Sequence, residues 1–166
     1  MRRMYSKPQL LEAVEQEAKT NGIKVFEDIK DKNGNPRFIE GNVDISSDTP
    51  EGITKNYGKW SLSGTHLLIV YVITIANNIT LNDNAIVGRL SLPSWVYDNL
   101  VPVIPNRTEL QFVDLKVYNT DTSIQSASYR IIKGADNTLS IRQNGSLTTT
   151  KERQARIAFD FLIDNN

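Results

Sequence analysis

The segment GKWSLSGTHLLIVYVITIANN, residues 58–78, decides the fold class of this chain. Its apolar run from Leu67 to Ile75 is interrupted only by Thr74. The run is far shorter than the roughly 20 residues that a membrane helix needs. Its Ile, Val, Tyr and Thr residues favour a β-strand, and the lack of alternation predicts a strand that is buried on both faces. Asn77-Asn78 then supplies a turn.

Short strand candidates continue to the end of the chain, separated by clusters of turn residues. They lie at 58–62, 66–76, 85–92, 108–118, 126–133, 139–142 and 155–163. Residues 134–137 are a turn cluster, and residues 143–146 (QNGS) carry a hairpin signal. Residues 92–105 are irregular and hold three prolines. This spacing predicts a mainly β protein, with an antiparallel β-sandwich or jelly-roll-like head over residues 53–166.

Residues 1–45 have the pattern of a smaller unit, a helix followed by a hairpin. A helix is predicted over 6–19, and Asn33-Gly34 predicts a turn between strand candidates at 23–29 and 37–39. Such a unit buries little apolar surface alone, so we expect it to dock or oligomerise through its apolar helix face. That face consists of Leu10, Leu11, Val14 and Ala18. Residues 46–52 form the expected linker to the head.

The composition argues against several classes of function. Lys plus Arg and Asp plus Glu both number 19 in 166 residues, so the chain lacks the basic excess of a nucleic-acid binder. It contains no cysteine, which excludes disulfides and cysteine-based zinc sites. Two basic residues near Met1 are followed by no apolar segment, so we expect no signal peptide and no membrane insertion.

Catalytic motifs are missing from the sequence. His66 is the single histidine, and no Gly-x-Ser-x-Gly motif accompanies it, so we expect a structural histidine at a strand end. No metal-ligand spacing or phosphate-binding loop occurs. A glycosidase pair among Asp98, Glu109 and Asp114 stays open, because the fold sets such pairs. The expectation is a protein that is not an enzyme and has no cofactor or metal.

One segment combines the features of a saccharide site. Aromatic faces cover the apolar side of a sugar ring, while amides and carboxylates bind its hydroxyls. Trp95, Tyr97, Asp98 and Asn99 provide both within the irregular stretch. Trp60 with Tyr57 is a second candidate, and residues 118–121 are a third. The alternative for each tryptophan is a position in the core.

The N-terminal sequence resembles a known family. Residues 25–31 (VFEDIKD), 33–35 (NGN) and 37–41 (RFIEG) resemble the N-terminal region of tail-tip and baseplate proteins from siphophages of Gram-positive hosts. In residues 53–166 the resemblance is architectural, with GKWSL at 58–62 and a hairpin at 141–147. It implies a homotrimer in the virion, made in the host cytoplasm together with other tail or baseplate proteins.

The resemblance leaves two functions open. Many heads of this family bind host cell-wall saccharide, which implies a non-catalytic receptor-binding module. Others join baseplate parts, which implies a structural adaptor without direct receptor binding. A trimer suits the first function, because several weak sites act together through effective concentration. No receptor residue is carried over from the family.

Overall fold

The structure is a computed structural model that describes residues 33–102, 109–119 and 124–164. The helix predicted over 6–19, its docking residues Leu10, Leu11, Val14 and Ala18, and the strand candidate at 23–29 lie outside these ranges. Gly34 has a φ of +82°, the left-handed conformation that the predicted Asn33-Gly34 turn requires.

The described part of the chain is mainly β and antiparallel, as the sequence predicts. Its strands are β1 (Phe38–Asn42), β2 (Ile53–Ser63), β3 (His66–Ile75), β4 (Thr80–Leu81), β5 (Ile86–Ser91), β6 (Glu109–Asn119), β7 (Ile124–Lys133), β8 (Thr138–Asn144), β9 (Leu147–Thr148) and β10 (Arg153–Leu162). A short helix, α1 (Ser94–Asp98), lies within residues 92–105, which the sequence predicts to be irregular.

Eight of the strands form one sheet in the order β1-β2-β3-β10-β6-β7-β8-β5, and β4 pairs with β9 separately. The two edges of the large sheet meet just after β1. Asp44 and Arg89 of β5 exchange backbone N–H···O bonds of 2.8 Å, while the Val43 amide donates to the Gly58 carbonyl of β2 at 3.2 Å. Residues 43–44 therefore bridge β2 and β5, and the sheet closes around one core.

Alternating side chains fill that core. Along β10, Ala155, Ile157, Phe159 and Phe161 are buried, while the residues between them are exposed. Tyr71 of β3 crosses the core, and its hydroxyl donates to the Val87 carbonyl of β5 at 2.8 Å. A Cβ at Gly88 would lie 2.7 Å from the Tyr71 ring, so the glycine makes room for it.

The strand at 66–75 corrects one expectation. Its sequence predicts burial on both faces, but only alternate residues point into the core. Leu68 on the other face is 44% exposed, and Val70 and Val72 are half-buried. The apolar run thus supplies one face of the core and an apolar strip on the outside of the sheet.

Candidate functional site

Trp60 is a core residue. It is 6% exposed, and a Cβ at Gly41 would lie 2.5 Å from its ring. The alternative of a core position therefore describes Trp60, and its ring offers no surface to a ligand. Tyr57 is 50% exposed on the outer side of β2, where it pairs with Val72 of β3.

The segment predicted to bind saccharide forms α1 and the residue after it, and the side chains of Tyr97 and Asn99 make local hydrogen bonds there. The Tyr97 hydroxyl donates to the Gly134 carbonyl in the β7–β8 turn. Lys133 Nζ lies 4.5 Å from the centre of the Tyr97 ring and donates to the Tyr97 carbonyl at 2.7 Å. Asn99 donates to the Trp95 carbonyl at 2.7 Å. The Trp95 side chain has intermediate exposure and Asp98 is exposed, so solvent reaches both.

A different site opens where β7 and β8 separate. Their ladder runs from Lys133–Leu139 to Ser128–Asn144 and ends there. Gly145, with a φ of +75°, turns the chain away, and Leu147–Thr148 then pair with β4. The residues 143–146 therefore end one strand and direct the chain to another sheet, so the hairpin predicted from this tetrapeptide is wrong.

A set of polar contacts fixes this corner. The Asp83 carboxylate accepts hydrogen bonds from the Gly145 amide at 2.9 Å and from Arg130 at 3.0 Å. Arg130 also lies 3.4 Å from Glu109 and donates to the Asn84 side chain. These groups come from four separate segments of the chain, so their contacts fix the wall of the opening.

The gap beside this corner is a cleft of about 440 Å³. Its lining is mostly hydroxyl, amide and carboxylate groups. The lining residues are Asp114, Ser126, Ala127, Ser128, Gln143, Asn144, Ser146 and Leu147. A volume of this size lies within the range of small-molecule sites.

Gln143 is the most unusual residue of the cleft. It is 2% exposed, and among the described residues its Oε1 has no hydrogen-bond partner. Its backbone is fully used, since its amide donates to Ala85 at 2.9 Å and its carbonyl accepts from Asn84 at 3.0 Å. A buried carbonyl oxygen without a donor costs about 1–3 kcal/mol.

The acidic and histidine side chains considered for catalysis are spread over different parts of the described structure. Asp114 is in the cleft, Glu109 faces Arg130, and Asp98 is exposed on α1. His66 is exposed at the start of β3, with its Nδ1 3.4 Å from Asp160. Within the described ranges, no three acidic or histidine side chains are grouped to hold a metal ion. No helix described is long and apolar enough to span a membrane.

Comparisons with known proteins return structural likeness alone. No family model matches the chain, and no curated protein matches it. The solved structures with a likeness include the reovirus attachment protein sigma1 in complex with α-2,3-sialyllactose. It has 11% identity and a TM-score of 0.38, over 76% of this chain and 64% of that one.

Two adenovirus proteins are also similar in structure. The distal domain of the mouse adenovirus 2 fibre has 10% identity and a TM-score of 0.45, over 85% of this chain and 88% of that one. The fibre head of porcine adenovirus type 4 has 10% identity and a TM-score of 0.39, over 74% and 91%. At TM-scores below 0.5, these likenesses carry no inference about ligand or partner.

Proposed function

We propose that residues 40–166, which form one compact unit and include the head predicted over 53–166, are the non-enzymatic, receptor-binding head of a bacteriophage tail or baseplate protein, and that the cleft between β7 and β8 binds host cell-wall saccharide. The observation that carries this proposal is the buried, unpartnered Oε1 of Gln143 in a cleft lined by hydroxyls and amides. A buried amide oxygen without a partner, in a residue that lines such a polar cleft, suits recognition of a hydroxylated ligand.

The chemistry of the lining fits a sugar ring. Ser126, Ser128 and Ser146 provide hydroxyls that both donate and accept, and Asp114 provides two acceptor oxygens. The Asn144 amide is oriented by its 2.9 Å bond to Ser128. Ala127 and Leu147 add apolar contact for the C–H groups of a ring. Such a shallow polar site binds weakly alone, so trimerisation would raise its avidity.

The sequence resemblance supports the virion context of the proposal. The motifs in residues 25–41 resemble the N-terminal region of siphophage tail-tip proteins, in which a β-rich head follows. The full chain has equal numbers of acidic and basic residues, so it carries no strong net charge that would repel a saccharide surface of either sign. On this proposal the head acts as one of three copies in the tail.

A blocked cleft tests the proposal. Ser126 is exposed and lines the cleft, so Ser126→Trp fills the cleft at little cost in stability. Ser63→Trp is the matched control, since Ser63 is an exposed residue at the end of β2. Labelled protein is incubated with host cells and with purified wall polysaccharide. Binding by the natural protein and Ser63→Trp, reduced at least roughly tenfold in Ser126→Trp, is expected. Equal binding by both variants would place the receptor site elsewhere.

The outer face of β3 favours a second candidate function, a structural adaptor that joins baseplate parts. Leu68 is 44% exposed there, and Leu162 of the adjacent β10 is 53% exposed. In an adaptor this strip would be covered by another tail protein. Leu68→Lys would then reduce assembly with the other tail proteins. Failure of the natural protein to bind host cells or any host saccharide would also favour the adaptor.

A further inference from the structure

We infer that the cleft selects an uncharged, hydroxyl-rich saccharide over one that carries carboxylate or phosphate groups. This inference rests on the proposed function and adds the chemical class of the ligand. It follows from two features of the cleft, namely which of its polar groups lack a partner and which charge its lining carries.

Two oxygen-bearing groups of the cleft, the Gln143 carbonyl oxygen and the Asp114 carboxylate, can only accept hydrogen bonds, whereas its three serine hydroxyls can donate or accept. Gln143 Oε1 is buried and has no donor in the described part of the chain. The Asp114 carboxylate accepts and does not donate. The Asn144 side-chain amide already donates to Ser128 at 2.9 Å, and the Gln143 amide lies 3.4 Å from the Asn144 carbonyl. Gln143 Oε1 and Asp114 therefore require hydrogen-bond donors from a ligand that contacts them.

Sugar hydroxyls meet that requirement, whereas ionised groups do not. A hydroxyl donates one hydrogen bond and accepts others, so it pairs with Gln143 Oε1 or Asp114 in one orientation. An ionised carboxylate or phosphate diester has acceptor oxygens alone. If such an ionised group contacted Gln143 Oε1, no hydrogen bond could form between them, because both are acceptors.

The charge of the lining acts in the same direction. Among the lining residues, Asp114 carries the one formal charge. Arg130, on the same strand as Ser128, is engaged by Asp83 at 3.0 Å and by Glu109 at 3.4 Å. An anionic ligand therefore meets a carboxylate whose effect reaches about one Debye length, roughly 8 Å at physiological salt.

Titration of the full chain with defined probes tests this inference. The neutral probes are oligomers of glucose and of N-acetylglucosamine, and the anionic probes are sialyllactose and a glycerol-phosphate oligomer. At low salt, we expect a neutral probe to bind at least roughly tenfold more tightly than either anionic probe. Added salt narrows that ratio, because exposed charges are screened.

Two variants separate the contributions. Asp114→Asn removes the negative charge, so binding of the anionic probes should rise several-fold. Asp136→Asn is the matched control, because Asp136 is exposed in the β7–β8 turn, and asparagine accepts its φ of +54°. Gln143→Met removes the unpartnered oxygen at similar volume, so neutral-probe binding should fall at least roughly tenfold while thermal stability is kept or raised.

The outcomes distinguish the inference from the proposed function. Tighter binding of an anionic probe, or unchanged binding in both Asp114→Asn and Gln143→Met, overturns the inference while saccharide binding itself still stands. No binding of any probe, together with no binding to host wall polysaccharide, overturns both.

Discussion

Two buried tyrosines allow the same chemical change to be made in opposite environments. Tyr71 and Tyr129 are each 0% exposed. The Tyr71 hydroxyl donates to the Val87 carbonyl at 2.8 Å, whereas within the described structure the Tyr129 hydroxyl has no partner. Replacing each with phenylalanine removes one oxygen and leaves the ring packing in place.

The two substitutions should change the free energy of unfolding in different directions. Tyr71→Phe loses a buried hydrogen bond and leaves Val87 without its donor, which should destabilise the fold by about 1–2 kcal/mol. Tyr129→Phe removes a hydroxyl that is buried without a partner, so the change should be neutral or stabilising by up to about 1 kcal/mol. A gap of about 2 kcal/mol corresponds to roughly 4–8 °C in midpoint for a domain of this size.

Thermal and urea unfolding, followed by circular dichroism, measure both variants against the natural chain. Coincident transitions from far-UV and near-UV signals establish that the comparison is two-state. Equal losses in the two variants, or a larger loss in Tyr129→Phe, would contradict this account of the hydrogen bonding inside the sheet.

Three further outcomes follow from the structure. Burial raises the pKa of Tyr71 from 10.0 to about 12, so the stability that the neutral hydroxyl contributes is present below pH 10 and is lost as the pH rises towards 12. The urea midpoint of the natural chain should therefore fall between pH 10 and pH 12, and the midpoint of Tyr71→Phe should fall less. Gly58→Ala places a Cβ against the Val43 carbonyl where the sheet closes, so the free energy of unfolding should fall by at least about 2 kcal/mol and proteolysis should be faster. An unchanged midpoint of thermal unfolding would refute this close approach. Arg153 is 4% exposed, and two of its nitrogens have no partner in the described part of the chain. Arg153→Met should therefore leave the free energy of unfolding unchanged or raise it, and a decrease of more than about 2 kcal/mol would indicate a buried partner.

The local pattern of the sequence predicts the positions of most strands of the head. Alternation identifies β10 from Ile157, Phe159 and Phe161, because a strand with one buried face imposes a period of two. The turn after β7 is signalled by Asp136 and Asn137, which have φ values of +54° and +56° in the structure.

The sequence contains no local signal for the pairing of strands that lie far apart along the chain. The closure of the sheet depends on Asp44 and Arg89, which lie far apart in the sequence and have no shared local pattern. The same limit applies to the cleft. Residues 143–146 have turn composition, but a strand that changes sheets has the same composition as a hairpin. The unpartnered oxygen of Gln143 becomes visible only when its surroundings are known.

The sequence predicts saccharide contact by Trp60, but that ring is buried in the core of the sheet. Tyr97 and Asn99 have the expected aromatic and amide groups, yet these groups stabilise α1 and the β7–β8 turn. Ligand contact by Trp95 and Asp98 stays a prediction, and a ligand on that segment would perturb different amides from a ligand in the cleft.

The most direct test of the central claim is a map of amide chemical shifts while host wall oligosaccharide is added to isotopically labelled protein. If the cleft is the receptor site, the largest changes will be at Ser126, Ser128, Gln143 and Gly145, and they will saturate with one affinity. Changes centred on residues 94–99, or no changes at a ligand concentration that saturates whole-cell binding, would contradict the assignment of the cleft.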